Sequence, residues 1–193
     1  MTVNKLIAIT GPAAVGKSTV ARDLQSELIR SGELWLVIEL DTFARGLSRD
    51  WISFGRHQGR YAERGFVYAR GQDGSIELRV GPDGRSVLAA FHRSVAAIAR
   101  SGVGVICETI VYDDDDWRDW SESLCDISVC WVKLSAPLPT LEAREDADRT
   151  RVFQGLARGM SARQSVGKYD LEADTGAEAA SAIAHRIITW TRS

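Results

Sequence analysis

The sequence predicts an α/β fold of three layers, a five-stranded parallel sheet with helices on both faces. Three observations predict it. Apolar runs of strand length alternate with segments of helical periodicity along all 193 residues. Gly11-Pro12-Ala13-Ala14-Val15-Gly16-Lys17-Ser18 stands between the first such run and the first helical segment, with the spacing G-x-x-x-x-G-K-[ST] of a phosphate-binding loop. Hydrophobic residues make up 45% and charged residues 26%, the balance of an ordinary globular domain with its own core.

The elements follow in order. The first strand covers about 5–10, and the first helix about 17–30, with Val20, Leu24 and Leu28 on one face and Gly32 as its stop. A second strand covers 35–40. The stretch 41–70 is mixed and helical at its start. Turn residues on both sides of 75–80, Gly71-Gln72-Asp73-Gly74 and Gly81-Pro82-Asp83-Gly84, mark a short extended piece. A helix over about 86–100 carries Leu88, Phe91, Val95 and Ile98 along one side, and the third strand covers 103–108. Loop and short helix occupy 113–123, where Asp113-Asp114-Asp115-Asp116 caps the helix rather than forming a metal site. The fourth strand spans 127–134, helices cover about 138–148 and 152–163, the fifth strand is 169–173, and a last helix runs over 177–190. No linker, repeat or low-complexity tract divides the chain, so it reads as one domain over 1–193.

The physics of the loop is specific. Glycine lets consecutive N–H groups turn inward toward phosphate oxygens, and the following helix adds its positive end. Gly11, Pro12, Ala13, Ala14, Val15 and Gly16 form the cradle, Lys17 reaches the β- and γ-phosphates, Ser18 holds Mg²⁺, and Thr19 bonds the α-phosphate.

A net charge of −2 gives no general attraction to nucleic acid or to an anionic membrane. Cys107, Cys125 and Cys130 have neither a disulfide framework nor metal-ligand spacing, Cys107 reads as a small buried hydrophobe, and a reducing cytoplasm fits. No apolar run reaches the ~18 residues of a membrane span. The apolar run after Lys5 is not a signal peptide, since cleavage near Ala13-Ala14 would destroy the loop.

Several stretches together resemble the chloramphenicol phosphotransferase family of P-loop kinases over nearly the whole length. They are the loop itself, Trp35-Leu36 followed by Asp41, Gly81-Pro82 before a long helix, Val105-Ile106-Cys107-Glu108, Trp131-Val132, Arg144-Glu145 followed by Arg151, and Tyr169-Asp170-Leu171-Glu172-Ala173-Asp174-Thr175. The resemblance implies the three-layer P-loop NTPase fold of the nucleotide-kinase type, with a substrate-side segment at about 43–85 and a lid-like segment at about 144–163. It also implies ATP with Mg²⁺ as cofactors, and phosphorylation of a hydroxyl of a small molecule such as the antibiotic chloramphenicol. Asp41, at the carboxyl end of the second strand, takes the role of catalytic base, and capping of a helix at Thr42 is its structural alternative. Glu108 ends the third strand beside the loop and would hold the metal with Ser18. Arg144, Arg149 and Arg151 are lid arginines suited to phosphate oxygens, with Arg151 foremost.

The chain departs from the family where Glu108 stands in place of the commoner aspartate and Asp148 in place of a lid arginine. Trp51, His57, Tyr61, Trp117 and Trp120 are candidate walls of an acceptor pocket, whereas His92 and His185 carry no signal. Arg45, Arg49, Arg56, Arg60 and Arg64 leave open a nucleoside, nucleotide or sugar kinase with a charged acceptor. A nucleotide-binding switch without chemistry is the third reading.

Overall fold

The computed structural model describes residues 6–148, 154–161 and 166–192. In chain order the elements begin with β1 (Leu6–Thr10), α1 (Lys17–Arg30), β2 (Trp35–Glu39) and α2 (Leu40–Ala44), followed by one 3-10 turn at Arg49–Trp51. Next come β3 (Ile52–Phe54), β4 (His57–Gln58), β5 (Phe66–Arg70), β6 (Ile76–Val80), α3 (Pro82–Arg100) and β7 (Gly104–Glu108). The chain continues through α4 (Asp114–Ser123), β8 (Val129–Ser135), α5 (Leu138–Ala147), α6 (Leu156–Ser161), β9 (Leu171–Asp174) and α7 (Ala180–Thr191).

The five strands of the expected sheet pair in parallel in the order β2-β7-β1-β8-β9. β1 and β7 are buried at every position, as central strands covered on both faces must be. On one face Ile7, Ile9, Ile106 and Val132 pack against Val20, Leu24 and Leu28 of α1, Leu141 of α5, and Ile183 and Ile187 of α7. On the other, Leu6, Val105 and Cys107 pack against Leu88, Phe91 and Val95 of α3 and Trp120 of α4. Cys107 is thus the buried hydrophobe that its apolar run implied.

The mixed stretch holds a second sheet, of order β4-β3-β5-β6, which the sequence reading had seen only as the extended piece at 75–80. β5 pairs antiparallel with β6 and parallel with β3, and Phe66 and Leu78 join the core face beneath α3. Strands of two and three residues carry too few side chains for a period of two to register. α3 begins four residues before the expected start. Pro82 occupies its first turn after Gly81, where a missing N–H costs nothing, so the Gly-Pro pair is a helix entry and not a turn. Val152, Arg149 and Arg151 lie outside the described residues, and of the helix expected over 152–163 the structure describes α6.

α6 lies along β6. The N–H of Ile76 donates to the Gly155 carbonyl at 2.8 Å, and the Glu145 carboxylate, buried on α5, accepts the N–H of Gly155 at 2.7 Å and of Ala157 at 3.1 Å. A Cβ at Gly159 would stand 2.0 Å from the Ile76 carbonyl oxygen, so only glycine permits this approach. Gly159→Ala is expected to cost about 1–3 kcal/mol of stability by overpacking, read as a fall in chemical-denaturation midpoint.

Candidate active site

The phosphate loop leaves β1 at Thr10 and enters α1 at Lys17. Gly11 and Gly16 take positive φ (153° and 96°), and Ala14, at 61°, adopts the left-handed region that a side chain disfavours. α1 has no side-chain cap, so its N-terminus faces the loop. Lys17 Nζ donates to the carbonyls of Gly11 and Pro12 at 2.9 and 3.0 Å. Thr19 is exposed on the first turn.

Parallel pairing brings the carboxylates to this loop. Ile9 lies opposite Glu108, and Glu39 lies opposite Glu108 on the other side. Ser18 Oγ donates to Glu108 Oε2 at 2.8 Å, while Oε1 of the same carboxylate is buried with no hydrogen-bond partner among the described residues. Burial pushes the Glu108 carboxyl above its ordinary range; the Ser18 hydrogen bond and Lys17 oppose the shift, and the charges of Glu39 and Asp41 add to it. A hydroxyl beside a carboxylate oxygen that lacks a donor suits Mg²⁺, a hard cation that takes its remaining ligands from water and phosphate.

Asp41 stands in the first turn of α2, exposed, at the carboxyl end of β2. It is not the cap, which is Glu39, whose Oε2 accepts the Thr42 hydroxyl at 2.8 Å. Two tyrosines share the electrostatic reach of Asp41. Tyr68 of β5 is pushed up to about 12 by burial and by the Asp41 charge. Tyr112, just past β7, is raised well above its ordinary value by burial, by Tyr68 and by Asp41. Tyr112 also lines a small apolar cleft with Ile76, Leu78, Ile110 and Met160, between the second sheet and α6. No motif in the sequence marks Glu39 or Tyr112, and Tyr68 is joined to them only by the long-range placement of β5.

Arg144, expected at the nucleotide, is held against the loop's main chain: it donates to Thr175 Oγ1 at 2.9 Å, to the Thr175 carbonyl at 2.8 Å and to the Val15 carbonyl at 3.4 Å. Thr175 Oγ1 donates to the same Val15 carbonyl at 2.7 Å. Arg158 pairs with Glu142 at 2.6 Å. The foremost lid residue, Arg151, and its neighbour Arg149 fall outside the described residues.

The aromatic residues expected at an acceptor pocket divide. Trp120 is fully buried in the core, and Trp117 and Trp120 line a different cavity of about 330 Å³ with Val129, Trp131 and Tyr169. Val129 pairs with Leu6 at the start of β1, so that cavity reaches the end of the sheet opposite the loop. Trp51 packs on Tyr61 with ring centroids 4.9 Å apart, and His57 meets the Arg49 carbonyl at 3.0 Å. Asp113 caps α4 as expected, accepting the N–H of Asp116 at 3.0 Å, and also binds Arg85. Among the described residues, no helix is long and apolar enough to cross a membrane.

A five-stranded parallel sheet with this loop after its central strand defines a P-loop kinase fold. The chain belongs to the chloramphenicol phosphotransferase-like protein family, whose model matches residues 4–192. No curated protein matches it. Among solved structures it is similar to the APS kinase of Mycobacterium tuberculosis in complex with AMPPNP and APS (19% identity, 100% of both chains, TM-score 0.69). It is also similar to the tunicamycin resistance protein of Deinococcus radiodurans (18% identity, 96% of this chain and 94% of that one, TM-score 0.61). A gluconokinase from Sinorhizobium meliloti gives 15% identity, 100% and 94% coverage and a TM-score of 0.63. These likenesses establish the shared fold.

Because the native state holds Glu108's proton more tightly than the unfolded chain, its contribution to stability declines as pH rises from the ordinary carboxylate range through its raised folded value. Glu108→Gln is expected to remove that decline and to melt above the wild type at neutral pH, in thermal scans across pH.

Proposed function

We propose that the protein transfers the γ-phosphoryl group of ATP to a hydroxyl of a small uncharged molecule. The observation that carries this reading is the convergence of the loop, the Ser18–Glu108 hydrogen bond and Asp41 at the carboxyl ends of β1, β7 and β2. Family membership supports phosphoryl transfer.

The roles follow from the chemistry. The loop amides and the α1 N-terminus hold the phosphates, and Lys17 draws off charge from the β- and γ-oxygens. Ser18 and Glu108 would hold Mg²⁺, which when bound neutralises the charge that develops on the phosphates. Asp41 accepts the proton of the acceptor hydroxyl while the oxygen forms its bond to the γ-phosphorus, and the bond to the bridging oxygen breaks to release ADP. Arg144 fixes the loop through Val15 and Thr175.

An uncharged acceptor is favoured by where the arginines of the substrate-side segment go. Arg64 pairs with Asp83 at 2.9 Å and lies over the Trp51 ring, Arg60 lies over the Tyr61 ring, and Arg79 faces Glu63 at 3.9 Å. The groups that feel the Asp41 charge are instead phenols, and one of them, Tyr112, lines an apolar cleft of the kind that suits a hydroxylated molecule with an apolar part; chloramphenicol, an antibiotic of that kind, is the first acceptor to try. A charged acceptor keeps one supporting observation: Arg45 is exposed one turn after Asp41 and shares its face of α2.

A panel of neutral and phosphorylated hydroxyl compounds with labelled ATP tests the reading. Neutral acceptors should be labelled and Arg45→Ala should leave their KM unchanged. Label only on phosphorylated acceptors would overturn it, and nucleotide binding without any transfer would favour the switch. Lys17→Ala should abolish turnover. Asp41→Asn should cut kcat by about 10²–10⁴, the usual worth of a positioned base, with nucleotide affinity close to wild type by calorimetry.

A further inference from the structure

The interface of α3 and α4 buries a polar chain that the chemistry above does not use. His92 is 1% exposed and Asp116 3% exposed. His92 Nδ1 engages Asp119 Oδ2, its Nε2 lies 3.5 Å from Asp116 Oδ1, and its ring stacks on Trp120 with centroids 4.0 Å apart. Asp116 Oδ2 accepts the N–H of Tyr112 at 3.1 Å. The chain therefore runs from the helix interface to Tyr112, whose phenol feels the charge of Asp41 and lines the cleft beside Ile76 and Leu78.

We propose that Asp116 is a positioning residue that sets Tyr112 against Asp41, and that a proton shared between Asp116 and His92 governs that placement. The proposal rests on the kinase reading for its consequence and on the geometry alone for its structural part.

With Nδ1–H donated to Asp119, His92 presents a lone pair at Nε2 to Asp116 Oδ1. One proton between them lets the Asp116 hydroxyl close on Nε2 across the 3.5 Å that separates them, while Oδ2 accepts from Tyr112. Without that proton, two lone pairs face each other in a buried site, or His92 turns its donor to Asp116 and loses Asp119. Either way a buried polar group loses its partner and the segment before α4 shifts. The groups around the pair set where the proton leaves. Burial pushes Asp116 up to about 7, with the charges of Asp113 and Asp119 adding to the rise and the Tyr112 N–H and Arg85 opposing it. Burial holds His92 down against the pull of Asp119, with Arg93 adding to the fall. The proton belongs to the pair.

Asp116→Asn separates this from a packing role. Its amide donates permanently to Nε2 and its oxygen still accepts from Tyr112, so it copies the protonated state. In protein labelled with ¹⁵N and with ¹³C in its tyrosine rings, without ligand, the Tyr112 amide and the Tyr112 and Tyr68 ring signals should shift with a midpoint near neutrality in the wild type and stay constant in Asp116→Asn. With chloramphenicol as the acceptor probe, wild-type acceptor KM should rise about tenfold as the proton leaves, the change one unit of coupled pKa supplies, while the KM for ATP holds. Asp116→Asn should show no such rise. Tyrosine signals that do not titrate, or that titrate equally in Asp116→Asn, would overturn the proposal. If chloramphenicol is not phosphorylated, that acceptor fails, and the tyrosine signals still decide the role of Asp116.

Discussion

The pairing of β1 with β7 is the constraint on which the rest depends. Ile9 opposite Glu108 places a carboxylate beside the first turn of α1, so that Ser18 can donate to it. The chain adds β2 and β7 to one side of β1 and β8 and β9 to the other, and a crevice opens beyond the carboxyl ends where that direction reverses. Slipping the register by one residue would turn Glu108 to the opposite face of the sheet and leave Ser18 facing Thr109 or Cys107. Strands buried at every position make that slip costly, because each would exchange its neighbours on both faces at once.

Charge is sorted by the same arrangement. The acidic groups Glu39, Asp41 and Glu108 gather at the ends of β2 and β7, and Lys17 and Arg144 lie on the loop side. This separation suits a reaction in which a hydroxyl loses a proton on one side and a phosphoryl group is held on the other. It also explains why Glu108, between the two, feels Lys17 and Asp41 in opposite senses. The tyrosines that feel the Asp41 charge extend the acidic side with neutral groups, whose protons burial holds more firmly still.

How much of this could be read from the sequence follows from the range of each interaction. The five parallel strands and the loop were legible because their signals are local: apolar runs, helical spacing and a motif of eight residues. The cap at Asp113 was legible for the same reason. The second sheet was not, because β3 and β4 are shorter than a period-of-two pattern needs and β3 pairs with β5 across an intervening loop. Asp41 and Glu108 are legible as strand ends, but Tyr68 comes from β5, which no sequence spacing connects to either of them, and Glu39 and Tyr112, though near them in the chain, carry no motif. His92 was passed over because a lone histidine on a helix resembles any surface polar residue, and only the packing of α4 shows that it is enclosed by Asp116 and Asp119.

The loop's shape is fixed by bonds within the chain. Arg144 and Thr175 both donate to the Val15 carbonyl, Ala14 holds a strained φ, and Lys17 spans back to Gly11 and Pro12. Ordering that would otherwise oppose binding is thus completed on folding. The exception is Lys17, whose bonds to the Gly11 and Pro12 carbonyls must be exchanged for phosphate oxygens. That exchange favours the ligand, since phosphate oxygens carry a negative charge that carbonyls lack and so attract the ammonium more strongly. A lysine parked on its own loop carbonyls therefore costs little affinity.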